Sequence, residues 1–161
     1  MEPKDIKPAD LILVRGTGWI SGAIEDVEHS PYSHVAGAIN NFELIEAEGL
    51  EKTGYVLVRK YAGQADVFRC ESLTTDQRAN ILHTAKWSVG QRYDYFLLVV
   101  EWIRYWFGVI VPYREPPNMR ICSTLWAGIY QGQGIDLCPG IRYPTPADVS
   151  QSKLLRKVGS I

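Results

Sequence analysis

The spacing of apolar residues changes period near Cys70, and that change limits the folds open to the chain. Upstream, short runs read as strands: Asp10 to Arg15 (DLILVR), His34 to Ile39 (HVAGAI), Phe42 to Ala47 (FELIEA), Tyr55 to Tyr61 and Ala65 to Glu71. Asn40-Asn41 marks a turn between the second and third runs, and Gly63 separates the last two. One helix interrupts this half: Thr17 caps a stripe of Ile20, Ala23, Ile24 and Val27 that Ser30-Pro31 stops. Downstream the period is helical. Thr74 and Gln77 form a capping box ahead of Ile81, Leu82, Ala85 and Val89, with Gly90 to close the helix. Further helices are expected over 95–107 and from Cys122 to Tyr130, where Leu125, Trp126 and Ile129 share a face and Gly132 and Gly134 end it. Strands first and helices after predict an α+β architecture.

The 161 residues suit one domain, taken as 1–161, with a sizeable core. The 17 basic and 18 acidic side chains nearly cancel, and no basic cluster offers a footing for nucleic acid. Residues 1–8 are polar and lack the apolar stretch of a secretory signal, so a cytoplasmic location is expected. The apolar segment 96–112 (FLLVVEWIRYWFGVIVP) is short for a membrane span and carries Glu101 and Arg104. Each charge would cost about 2.5–3.5 kcal/mol at a bilayer centre. A groove-lining helix is the better expectation, with peripheral lipid contact left open. Cys70, Cys122 and Cys138 form no CxxC pair, which favours free thiols over a disulfide framework or a structural zinc site.

Chemistry concentrates at two places. Cys122 falls where a loop turns into a helix, and free N–H groups there would stabilise a thiolate and an oxyanion. Taken alone, Cys122 reads better as a small buried residue. His34 opens a strand after a loop, a rigid mount for a base, and is a stronger candidate than His29 or His83. An acceptor must orient the imidazole, and Glu46 and Glu48 stand in the next strand. A three-residue loop would set Glu46 opposite His34, whereas a two-residue loop would set Ala47 there.

DLILVR, SHVAGAI, LIEA, GQRYD, CSTLW and PTPADVSQS, in that order, resemble the circularly permuted branch of the papain-like, NlpC-type cysteine peptidases. That branch contains the YiiX- and YebB-like proteins, and the resemblance covers nearly the whole chain. It implies a central antiparallel sheet with the Cys helix packed on it. It also implies Cys122 as nucleophile, His34 as base and Glu46 as third residue, with no cofactor and no metal. Tyr32 is read as an oxyanion donor or an aromatic wall. Trp102, Trp106 and Trp126 are read as substrate-binding, because aromatic richness through 93–113 suits an acyl chain.

The expected reaction is hydrolysis of an amide or ester through an acyl-enzyme, on a small peptide, a cell-wall fragment or an acyl-lipid. The alternatives are a lipid-directed acyltransferase on the same fold, as in lecithin retinol acyltransferase-like proteins, and a binding module without catalysis.

Overall fold

Leu11, Ile12, Leu13 and Val14 are buried in succession, and a run apolar on both sides belongs inside a sheet covered on both faces. The computed structural model, which describes residues 2–16, 30–47, 52–90 and 117–161, places this run at the sheet's centre. Six strands follow in chain order: β1 (Leu11–Arg15), β2 (Tyr32–Ala38), β3 (Glu43–Glu46), β4 (Gly54–Leu57), β5 (Ala65–Arg69) and β6 (Arg156–Ser160). They form one sheet in the order β4-β3-β2-β1-β5-β6, every neighbouring pair antiparallel. The helices are α1 (Thr75–Ser88), α2 (Pro117–Gln131) and the short α3 (Pro146–Ser150). The architecture is α+β, as the change of period implies.

Alternate residues feed two cores. Leu11, Leu13 and Val35 pack with Ile81 and Ala85 of α1, with Leu125, Trp126 and Ile129 of α2, and with Val149 of α3. Ile12, Val14, Ala36 and Leu44 pack with Val58 and Tyr61 in the second core. Val56 of β4 and Val158 of β6 pack against that second core from the two edge strands. Seating α2 requires a missing side chain. A Cβ on Gly37 would lie 2.1 Å from the Trp126 ring, whose indole N–H donates to the Ile45 carbonyl at 3.2 Å.

Thr74 and Gln77 make the expected reciprocal cap, and Gly90 follows α1 with φ at +82°. The Tyr55 to Tyr61 run departs from expectation. It is a strand only to Leu57, where the ladder with β3 ends at Glu43, and Val58–Tyr61 then turn as a 3-10 helix. A strand needs a partner, and β3 supplies four residues of one. β6 was not expected, because RKVGS alternates too weakly to signal a strand. The expected helices near residues 17–29 and 95–107, and the aromatic stretch through 93–113, lie outside the described residues. Among the described residues no helix is long and apolar enough to cross a membrane.

Candidate active site

The ladder pairs Gly37 with Ile45 and Ala38 with Leu44, so five residues, 39–43, separate the last paired residues of β2 and β3. That is neither of the two lengths considered from the sequence. Its parity matches the three-residue case, however, and parity decides the face. Continued one step, the register pairs Glu46 with Ala36, two residues from His34 and on the same side. Glu46 therefore reaches the imidazole along the diagonal, and His34 Nε2 lies 3.0 Å from Glu46 Oε2. A bulge helps to aim the ring: β1 pairs Val14 with His34 but Arg15 with Tyr32, skipping Ser33.

Glu46 is buried and fully partnered. Lys60 Nζ donates to Oε1 at 2.7 Å, and the Tyr61 hydroxyl makes a short bond to Oε2 beside His34. Burial alone would push this carboxyl up. Hydrogen bonds from His34, Lys60 and Tyr61 outweigh it and hold the group at about 2. Burial also opposes a charged His34, but hydrogen bonds to Cys122 and then Glu46 prevail and raise the imidazole to about 10. The Tyr61 hydroxyl is raised as well, first by burial and then by its bond to Glu46.

The imidazole has two nitrogens, and Nε2 faces Glu46. Cys122 also hydrogen-bonds the imidazole, and Nδ1 is the nitrogen that Glu46 leaves open for it. In the charged ring the Nε2–H donates to the carboxylate and the Nδ1–H is left for the sulfur. Cys122 comes from α2 and is fully buried. Contrary to the sequence reading, it does not open its helix. α2 begins at Pro117, so Cys122 is its sixth residue, beyond the four N–H groups left free at a helix start. The dipole benefit fades past the first turn, and His34 is the support that remains. Pro117 itself was the usable signal, since proline favours the first helical position.

Tyr32 is half-buried, its ring edge-on to Phe68, and its hydroxyl donates to Asp66 Oδ2 at 2.6 Å. That proton is committed to Asp66 rather than held out for an oxyanion. Trp126 is fully buried in the packing of α2 on the sheet, a core position and not an open cleft wall. His83 is exposed on α1, away from this cluster. Trp102, Trp106, His29 and Glu48 lie outside the described residues. Lys60 and Tyr61 were missed from the sequence, where they read only as the end of a strand. Cys70, Cys122 and Cys138 form no disulfide, and burial, then Asp148 and Asp136, lift Cys138 to about 11.

Among the described residues no group of three or more His, Cys, Asp or Glu side chains is gathered to hold a metal ion. No protein-family model matches the chain, and no curated protein matches it either. Among solved structures, the chain is similar to a protein described as the metalloprotein YiiX of Escherichia coli O157:H7, DUF1105. The two share 20% identity with a TM-score of 0.54, over 96% of this chain and 97% of that one. The fold is therefore YiiX-like. The metal in that description belongs to that protein.

Proposed function

We propose that this chain is a cysteine-nucleophile hydrolase of amide or ester bonds, built on a permuted papain-like, NlpC-type scaffold. One observation carries the reading: a single imidazole hydrogen-bonds both the Cys122 thiol and a buried carboxylate. In the proposed reaction His34 holds the Cys122 proton as imidazolium and the thiolate sulfur attacks the carbonyl carbon. The tetrahedral intermediate collapses as the imidazolium gives that proton to the leaving amine or alcohol. Water then attacks the thioester with His34 as base, which releases the acid and restores the thiolate–imidazolium pair. Glu46 holds the Nε2–H tautomer throughout and stabilises the imidazolium. An acyl acceptor in place of water would turn the same steps into acyl transfer. The substrate class is a peptide, a cell-wall fragment or an acyl-lipid.

Alkylation of the three cysteines by iodoacetamide, followed by mass spectrometry from pH 4 to 9, tests the reading. Cys122 is expected to react fastest of the three near pH 6, and His34→Ala should slow it roughly 100-fold. Cys138, lifted to about 11, is the internal slow reference. A faster Cys70 or Cys138, or an inert Cys122, would overturn the assignment.

A further inference from the structure

We propose that Tyr61 and Lys60 are positioning residues of this site, clamping both oxygens of Glu46 so that its carboxylate keeps His34 aimed at Cys122. The proposal rests on the reading of Cys122 as nucleophile and adds a second tier of residues behind it.

The geometry separates a clamp from incidental contact. A glutamate carboxylate turns easily about its last torsion, which has no sharp rotamer wells. Here neither oxygen is left to turn. Oε1 is held by Lys60, and Oε2 is shared between Tyr61 and His34. Among the described residues, the titratable or charged side chains that reach Glu46 are His34 of β2 and Lys60 and Tyr61 of the 3-10 turn.

The turn has a reason to be where it is. β4 is an edge strand that runs out of partner at Leu57, and the Val58 N–H is caught by the Phe42 carbonyl at 2.9 Å. The chain then coils under β3 and delivers two consecutive side chains to one carboxylate. Tyr61 also walls the imidazole, its ring centroid 6.0 Å from that of His34, and the Lys60 ammonium sits 5.1 Å from the Tyr61 centroid. Apolar packing in the second core needs only the ring of Tyr61. Its hydroxyl adds nothing to that packing and would be costly there without an acceptor.

The clamp has a chemical consequence besides a geometric one. Two donors withdraw charge from Glu46 and keep it ionised, so the shared proton stays on Nε2 and does not pass to the carboxylate. When Glu46 does protonate, the imidazolium loses its partner and the thiolate loses the imidazolium. The acid-side midpoint of Cys122 reactivity is therefore set partly by Tyr61 and Lys60.

The test is the pH profile of Cys122 alkylation in the full chain for Tyr61→Phe, Lys60→Met and Lys60→Arg. Tyr61→Phe and Lys60→Met are expected to move the acid-side midpoint upward by about 1 pH unit, the usual size for loss of one charged or hydrogen-bonding neighbour. Lys60→Arg should return it to the wild-type position. Lys60 is 39% exposed at its side chain, so its variants carry the test if Tyr61→Phe fails to fold. Unmoved midpoints in a protein whose Cys122 still depends on His34 would overturn the clamp and leave the hydrolase reading standing. An inert wild-type Cys122 would overturn both.

Discussion

Two of the buried carboxylates, Asp66 and Glu46, look alike until their partners are compared. Asp66 on β5 accepts from Arg15 Nη1 at 2.9 Å, Tyr32 at 2.6 Å, Lys157 at 2.8 Å and Ser160 at 2.6 Å. Glu46 on β3 accepts from His34, Lys60 and Tyr61. Both resist the upward push of burial and both are held at about 2 by their donors. The partners of Asp66 tie β1, β2, β5 and β6 together. Glu46 holds an imidazole, and that imidazole in turn holds a thiol. A depressed carboxyl is thus no mark of chemistry by itself; what marks it is a titratable neighbour with a second bond to make.

The largest expected difference between the two hubs is on the alkaline side. His34 is raised to about 10 in the folded protein, so its imidazolium contributes fully below the ordinary value of 6.5 and is lost as pH climbs through 10. Asp66 and Glu46 are depressed, so their contributions hold above the ordinary carboxyl range and fade as pH falls through about 2. Melting temperatures followed from pH 6 to 10 should fall several degrees further in wild type than in His34→Gln, while both keep the acid limb that Asp66 supplies. Equal alkaline slopes would show that His34 is not charged by its neighbours, and the two hubs would then be equivalent.

Next in size is a crossed pair of substitutions. Asp66→Asn should cost about 2 kcal/mol by chemical denaturation, less than a fully buried ion pair because Arg15 and Lys157 are 35% and 48% exposed. It should leave Cys122 alkylation near its wild-type rate. Glu46→Gln should do the reverse, slowing alkylation at pH 6 about tenfold for roughly 1 kcal/mol of stability. If both variants lost the same property, the division between a structural and a chemical hub would fail.

What the sequence disclosed of these hubs follows the range of each interaction. The Thr74–Gln77 cap was legible because both partners lie within one helical turn. His34 and Glu46 could be placed on one face because strand parity survives an error of two residues in the loop. The start of α2 was misplaced because the apolar stripe begins after Cys122, although helical backbone begins at Pro117. Asp66 drew no attention at all. Lys157 and Ser160 lie 91 and 94 residues from it, on a strand whose composition gives no period to read. Tyr61 was legible as an apolar position and not as a hydroxyl donor, since only the turn after Leu57 points it at Glu46.

Tyr32 gives the smallest and most discriminating test, because it stands at the junction of the two hubs. It lies two residues from His34 along β2, yet its hydroxyl is given to Asp66. Its own proton is held more tightly than usual, first by burial and then by that bond. Tyr32→Phe removes one of four donors to Asp66 and keeps the ring against Phe68. The expected loss is about 1 kcal/mol of stability, the ordinary net worth of one hydrogen bond. Alkylation of Cys122 should be unchanged, and so should turnover of an activated ester. Loss of an oxyanion donor would be unmistakable by contrast, about 100-fold or more in turnover without a matching loss of stability. A drop of that size in Tyr32→Phe would mean that the hydroxyl leaves Asp66 when substrate arrives. The carboxylate assigned here to structure would then be the resting place of a catalytic proton donor.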